Sequence, residues 1–470
     1  MTRIAVLGGS TTGLYAALTL ARGGHDVVVY ERDPAPPADP EQAFASWDRP
    51  GTPHLRQSHA FLDRSIRLLR RDHPDLYDAL LDAGAHVVSS GDFLPPWVED
   101  RAPRPDDVLT MSARRPVYDW VLHAYAARAG VRVERTGVAG LTLDGGTVPR
   151  VTGVRLTTGE TVAADAVLDA TGRRTRTPKW LADAGVRLPV VATSSCGNRY
   201  YTRYYRVLPG VEPPRLLRGF SSVAELDACA VLVFRGDGDT YSVSIQTDQG
   251  DEALRVLRDP RAFAAAAAAV PVSAAWTDPA VGRPIGEPSV MAGLHNTVRR
   301  TVAAGRPVVT GLLLVGDAAA TSNPSFGRGV SLGMVTAELA RDALAHGDPD
   351  AQALDYDAGL SREVEPFVEN ARRLDSATNA RWRHALYGAP PPDPADAPAF
   401  EHVLVAAMRD RDVFNAMAQT MNLLRTPESV TGDPDLMARV AALRASGWTV
   451  PAPPLPGRVD VVAAATAAVG

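Results

Sequence analysis

The residues with the clearest chemistry stand near the start of the chain, in Gly8-Gly9-Ser10-Thr11-Thr12-Gly13. They follow the apolar run Ile4-Ala5-Val6-Leu7 and precede Leu14, Ala17, Leu18 and Ala21 at helical spacing. A turn of this kind accommodates a pyrophosphate when a glycine makes the tight turn (Gly8), a small residue stands where backbone meets phosphate (Ser10), and a glycine lets helix pack on strand (Gly13). Thr12 belongs to the same set. The free N–H groups of the helix N-terminus then face the negative charge. Glu31 ends a second apolar run, Val27-Val28-Val29-Tyr30, where its carboxylate can accept from both hydroxyls of a ribose. The alternative is a glycine-punctuated turn with Glu31 in solvent.

A second group lies some 300 residues on. Gly316-Asp317-Ala318 ends the apolar run Leu312 to Val315, and Asn323-Pro324-Ser325-Phe326-Gly327-Arg328-Gly329 opens a helix. Asp317 can accept from a sugar-alcohol hydroxyl, and Gly327 and Gly329 let backbone N–H groups approach a flat ring. The helix N-terminus can stabilise negative charge there, such as the N1–C2=O edge of a reduced flavin carries. Alone, Gly-Asp at a strand end is commonplace; after a dinucleotide turn it is informative.

These segments need strands and helices to hold them. The first thirty residues read as β-α-β; residues 33–53 read as an excursion loop, with helices at 59–71, 74–83 and 116–129. Val151 to Leu156 and Thr161-Val162 read as a hairpin, and Ala166-Val167-Leu168 as a buried strand. From about 190 to 285 the texture turns β-rich. Helices are expected at 329–346, 351–386, 399–424 and 433–445, and Pro451 to Pro456 lie in a tail. The fold class is therefore α/β: a Rossmann-like nucleotide-binding domain, an inserted β-rich substrate domain and a helical C-terminal region. The expected bounds are 1–85, 110–185 and 286–345 for the first, 86–109 and 186–285 for the second, 346–450 for the third and 451–470 for the tail.

Composition narrows the function. Forty-nine basic and fifty-four acidic residues leave a net charge of −5, which argues against a basic nucleic-acid groove. Lys179 is the only lysine, so a catalytic lysine has almost no candidates. Two cysteines, Cys196 and Cys229, are too few for a Cys-rich metal site, and no metal is expected. No apolar run approaches the ~20 residues that span a bilayer, and the N-terminus leaves no room for a signal peptide. A soluble, cytoplasmic protein is the expectation.

With these motifs the chain resembles FAD-dependent monooxygenases of the group A, aromatic-hydroxylase-like superfamily. Within it the chain is most similar to flavin epoxidases and hydroxylases of bacterial polyketide and natural-product biosynthesis. Three segments carry the resemblance: Gly8 to Gly13 with Glu31, Gly316-Asp317-Ala318 with Pro324, Gly327 and Gly329, and Asp169-Ala170-Thr171-Gly172-Arg173 in place of the middle motif. Arg56-Gln57-Ser58-His59 and Arg115-Pro116 also fall where such epoxidases have similar residues. The resemblance spans about residues 1 to 345. It implies FAD held by Gly8, Ser10, Thr12, Gly13, Glu31, Arg32, Arg56, Arg115, Val138, Thr171, Gly172, Gly316, Asp317, Gly327 and Gly329. It implies NADPH or NADH as electron donor, directly or through a flavin reductase, and O₂. A flavin C4a-hydroperoxide would then hydroxylate or epoxidise an apolar small-molecule intermediate.

No residue outside these motifs is compelled to be catalytic; Pro324, Phe326 and His59 are the candidates. Arg56 reads either as a cofactor donor or as a surface arginine, and His59 either as a ring-lining group or as a helix cap. On the strand 199–206, alternation puts Tyr201, Arg203 and Tyr205 on one face and Tyr200, Thr202 and Tyr204 on the other. The former are the substrate-facing candidates. Three rivals stand beside this reading. A flavin-dependent dehydrogenase or double-bond reductase shares the Ala-Thr-Gly-Arg segment. A halogenase would carry Trp-x-Trp-x-x-Pro, and none of the seven tryptophans here is two residues from another. The last is a nucleotide-binding protein without turnover.

Thr171 stands where hydroxylases carry an aspartate implicated in flavin and nicotinamide binding, although Arg173, Arg174 and Arg176 can attract nucleotide phosphates. NAD(P)H alone is expected to reduce the bound flavin slowly, and substrate or an added flavin reductase to accelerate it. Anaerobic stopped-flow bleaching of the flavin band measures this; fast reduction by NAD(P)H alone would refute it.

Overall fold

The computed structural model describes residues 1–451 and 454–470, the side chain of Ala192 excepted. A five-stranded parallel sheet forms the centre, in the order Leu312–Leu314, Ala166–Asp169, Arg3–Leu7, Asp26–Tyr30, Arg132–Glu134. Three adjacent strands, Leu312–Leu314 at the edge and Ala166–Asp169 and Arg3–Leu7 beside it, are buried on both faces, which is why their sequences are continuous apolar runs without alternation. Residue Leu7 pairs with Asp169, and Asp169 with Leu314, so three strands far apart in sequence end level with one another.

The helices Thr11–Arg22 and Gly329–Ala343 cover this sheet and pack on each other. They approach closely because Gly333 leaves space for Thr12, whose Oγ1 would stand 2.3 Å from a Cβ at that position. The helix Arg115–Arg128 lies beside them, with Pro116 in its first turn.

The second layer is a six-stranded sheet in the order Ser221–Glu225, Cys229–Arg235, Thr240–Asp248, Asn198–Val207, Gly282–Pro284, with Ser289–Met291 also on Asn198–Val207. It is antiparallel, and its two faces differ. Tyr201, Tyr205, Tyr241, Val243 and Ile245 point into an apolar core shared with the helices Pro260–Ala268, Pro271–Thr277 and Arg458–Ala467. Tyr200, Thr202, Tyr204, Ser242 and Ser244 lie on the other face, towards the parallel-sheet layer.

Several sequence expectations change here. Residues 59–71 are not one helix: Ala60–Leu62 is a strand, paired with Leu109–Ser112, before the helix Asp63–Asp72. His86–Ser89, at the start of the expected second domain, joins that same small sheet. The excursion 33–53 contains the helix Pro40–Ser46. The expected helices 351–386 and 399–424 are each two helices. The tail is not free. Part of its proline stretch lies outside the described residues, but Arg458–Ala467 is a helix that completes the outer core through Val461 and Ala465, and Arg458 forms two hydrogen bonds of 2.6 Å with Asp251. A short helix of small apolar residues carries too weak a pattern to be distinguished from a tail without the surface it covers.

Removing two buried methyl groups in Val461→Ala is expected to cost about 1.5 kcal/mol. Urea unfolding checks it; a loose tail would show no change.

Candidate functional site

Three loops emerge where the central strands end, as ligands bind at the carboxyl ends of strands in open α/β sheets. They surround a cavity of about 560 Å³. Ser10, Thr11 and Thr12 line it with Gly51, Thr52 and Arg115, and so do Thr171, Gly172, Arg173, Arg299, Asp317, Pro324, Gly327 and Gly329. The strand segments Met291 to His295 and Val190 to Thr193 contribute to the far wall through residues such as Met291, Leu294 and Thr193.

The first loop has the backbone its glycines imply. Gly8 adopts φ +96°, and a Cβ there would stand 2.8 Å from the Ala170 carbonyl oxygen; a Cβ on Gly13 would stand 1.8 Å from the Gly8 carbonyl oxygen. Ser10 precedes the helix Thr11–Arg22, yet its side chain does not cap the helix, so the first-turn N–H groups are left for a ligand. Its hydroxyl instead donates to Asp119 Oδ2 at 3.1 Å, and Thr11 Oγ1 donates to Asp119 Oδ1 at 2.6 Å.

Asp119 is 1 % exposed and was not visible as a site residue in the sequence. Burial opposes its charge, but Arg115 and Arg49, with hydrogen bonds from Thr11 and Arg115, hold its carboxyl well below the usual range. Arg115 donates through Nε to Asp119 Oδ1 at 2.7 Å and through Nη2 to Ser10 Oγ at 3.2 Å. An acid four residues after an arginine on one helix was the available signal. Arg49 was also missed. Its guanidinium is buried over the Trp47 ring among Glu31, Asp33 and Asp119.

Glu31 is consequently not exposed to the cavity. Its Oε2 accepts from the Gly9 N–H at 2.7 Å and from Arg49 at 3.1 Å, and its Oε1 accepts from the Asp33 N–H at 2.8 Å. It braces the turn from behind. Gly8, Gly13 and Gly316 shape the backbone without lining the cavity, and Arg32 (its side chain 66 % exposed) and Val138 stand outside it.

In the middle segment, Asp169 accepts from the Thr171 N–H at 2.9 Å and the Thr171 hydroxyl at 2.5 Å, and also from Thr175. The acid of this segment thus closes its own turn, and Thr171 and Gly172 face the cavity. Asp317 is the one carboxylate on the cavity wall and makes no hydrogen bond among the described residues. Burial pushes its pKa up, against the pull of Arg115, Arg173 and Arg299. Arg173 Nη1 is buried without a partner. His59 lines the cavity beside His54, ring centres 5.9 Å apart. Its Nδ1 donates to the Gln57 carbonyl at 2.8 Å, which leaves Nε2 as an acceptor; burial and then Arg115 lower its pKa to about 4, so the ring is neutral at pH 7.

Five candidates are placed elsewhere. Arg56 donates to the carbonyls of Phe44 at 2.9 Å and Trp47 at 3.3 Å and borders a separate cavity of about 340 Å³ with Thr202, Tyr204 and Ser289. Phe326 turns away from the main cavity, into the C-terminal helical core, with the Arg328 guanidinium 4.8 Å above its ring. Tyr201 and Tyr205 are in the outer core, and Arg203 on the same face binds the carbonyls of Gly286 and Pro260. Alternation correctly separated two faces but not which faced inward; both were rich in tyrosine, and only the helices laid on one of them decide it.

The residues fit the flavin, ribityl and pyrophosphate portions of FAD. Uncapped N–H groups and Arg115 would meet the phosphates, the Asp317 carboxylate would meet ribityl hydroxyls, and the glycines at 327 and 329 would admit the ring. Because Glu31 pairs with groups of the chain itself, Glu31→Ala is expected to destabilise protein without added FAD by about 3 kcal/mol, leaving two N–H groups unpaired. Unchanged urea unfolding of that variant would show that Glu31 serves only a ligand.

No protein-family model matches the chain. Protein Rv3254 of Mycobacterium tuberculosis is 27 % identical over 414 residues, 81 % of this chain and 80 % of that protein. Among solved structures, the flavin-dependent brominase Bmp2 is similar with a TM-score of 0.59 at 14 % identity, over 95 % of this chain and 99 % of that one. PqsL of Pseudomonas aeruginosa, a probable FAD-dependent monooxygenase, gives 0.56 at 18 %, over 82 % and 98 %. A flavoprotein/dehydrogenase from Cytophaga hutchinsonii gives 0.62 at 14 %, over 95 % and 100 %. The chain has the fold that these flavin-dependent oxidoreductases share.

Proposed function

We propose that the chain is an FAD-dependent monooxygenase that hydroxylates or epoxidises an apolar natural-product intermediate. The observation that carries this is the convergence of the pyrophosphate turn, Asp317 and the Pro324–Gly329 loop on one cavity. The site would hold FAD, which in reduced form would supply the two electrons needed to split O₂, one oxygen atom going to the substrate and the other to water. The chain's own residues bind and orient. Ser10, Thr12 and Arg115 hold the phosphates, Asp317 the ribityl chain, and Gly327 and Gly329 the ring. Met291, Leu294 and Ala60 give the wall an apolar portion that keeps water from the reacting face. His59 Nε2, neutral and on the cavity wall, can accept a hydrogen bond from a substrate hydroxyl. Electrons come from NADPH or NADH, directly or through a flavin reductase.

The fold is compatible with oxygenation, halogenation and dehydrogenation alike, so the choice rests on residues. Against halogenation, Lys179 is exposed on the helix Thr177–Asp183, paired with Asp183 at 2.8 Å and away from the cavity. A double-bond reductase remains the second reading, favoured by the Thr171 turn, and it would turn over without O₂.

Purified protein is expected to be yellow, or to become so with FAD, and its reduced form to be reoxidised by O₂. Asp317→Ala is expected to weaken FAD binding by about 1.5–3 kcal/mol, as for a hydrogen bond to a charged group. Absorption spectra and FAD titration read both outcomes. Colourless protein that ignores added FAD would overturn the proposal, and substrate turnover without O₂ would replace it with the reductase.

A further inference from the structure

The C-terminal helix Glu365–Tyr387 carries a carboxylate, Asp375, which is 5 % exposed and which none of the chemistry above uses. It lies beneath the turn Pro324–Phe326. Asn323 Nδ2 donates to its Oδ1 at 2.6 Å, and Asn296 Nδ2 donates to its Oδ2 at 2.7 Å. Neither amide is free to turn over. The backbone N–H of Ser325 donates to Asn323 Oδ1 at 3.0 Å, and the backbone N–H of Asn323 donates to Asn296 Oδ1 at 2.9 Å. A backbone N–H can only donate, so both side-chain oxygens are fixed and both NH₂ groups must face position 375. Only a group that accepts twice and offers no proton fits between them.

Asn323 is the N-cap of the turn Pro324–Phe326, and the Tyr200 hydroxyl donates to the same Oδ1 at 2.6 Å. The turn passes through Gly327, at φ +63°, into the helix that begins at Gly329. Pro324, Gly327 and Gly329 are the cavity wall. We infer that Asp375 is a positioning residue: its acceptor-only carboxylate sets the amide orientation of Asn323, and through it the turn that receives the flavin ring. The inference rests on reading that wall as the ring site, and it gives the C-terminal helix a part in building it.

The other ionisable groups nearby do not take over this role. Arg328 is fully buried between the rings of Phe326 and Phe367 and donates to the Phe367 carbonyl and Asn370 Oδ1. Burial pushes the Cys196 thiol up, so it is neutral. Burial likewise pushes Asp375 up, to about 6, against the hydrogen bonds from Asn296 and Asn323; at pH 8 it is ionised.

Asp375→Asn places an NH₂ group against an NH₂ group. One of the two asparagines must turn over, and a backbone N–H of the cap loses its acceptor. The exchange of the pair, Asp375→Asn with Asn323→Asp, restores the donors and acceptors among positions 200, 296, 323, 325 and 375. In it Asn at 375 donates to the carboxylate at 323 and accepts from Asn296, while the second carboxylate oxygen accepts from Ser325 and Tyr200. Two readouts at pH 8 on the full chain decide the matter: hydrogen–deuterium exchange of residues 320–330 without FAD, and FAD affinity with the visible flavin band. Asp375→Asn is expected to raise exchange in this segment and to weaken FAD binding, each by about 5-fold, the scale of a lost N-cap. Exchange in the strand Arg3–Leu7 should not change, and the double variant should return to within about twofold of the parent. A general loss of stability would move both segments. Unchanged exchange in Asp375→Asn, or a double variant no better than the single one or unable to fold, overturns the inference. Failure of the parent chain to bind FAD would instead refute the proposed function, and the exchange measurement would still decide the role of Asp375.

Discussion

The parallel pairing of Leu312–Leu314, Ala166–Asp169 and Arg3–Leu7 is the constraint on which the rest depends. Its register places Leu7, Asp169 and Leu314 level, so that three loops from distant parts of the chain leave the sheet at one edge. The residues within these strands are apolar because both faces are covered. The chemistry is consequently confined to the loops, where backbone N–H groups are unpaired and glycines permit close approach.

That edge is rigidified by buried charge. Arg49 stands among Glu31, Asp33 and Asp119, and Asp119 binds in turn Ser10, Thr11 and Arg115. Buried ion pairs contribute little net stability, because desolvation offsets their attraction, but they tolerate few geometries. Here they fix the backbone of the Gly8–Gly13 turn against a neighbouring helix. A comparable pair joins the layers: Arg114, packed over Phe44, binds Asp237 in the hairpin between Cys229–Arg235 and Thr240–Asp248 and also Glu41. The β-rich sheet is thereby held at a set height over the cavity.

The polar face of that sheet completes the enclosure. Thr202 Oγ1 donates to Gln57 Oε1 at 2.7 Å, the Tyr204 hydroxyl to the Gln57 carbonyl at 3.0 Å, and Ser58 binds Ser242 and Ser244. The segment from Arg56 to His59 is thus pinned from above, and this pinning leaves the Nε2 of His59 as an acceptor on the cavity wall. Satisfied polar contacts of this kind specify position more than they add stability.

The sequence by itself determined what depends on local geometry. Gly8 and Gly13 are needed because a Cβ would strike backbone, continuous apolar runs mark strands buried on both faces, and Gly316-Asp317 ends one of them. The α/β class and the strand ends that carry the three motifs were legible on that basis. Tertiary structure alone decided which groups meet. Glu31 has the position of a ribose acceptor, yet Arg49 reaches it from eighteen residues away and holds it behind the turn. Arg56 and Phe326 belong to the right segments but face other cavities and cores. The two faces of Asn198–Val207 have equivalent patterns, and only helices from elsewhere in the chain, including the terminal Arg458–Ala467, make one of them interior. Asp375 was silent because a lone polar residue has no periodicity; its meaning is its partners Asn323 and Asn296, and folding brings those from more than fifty residues away.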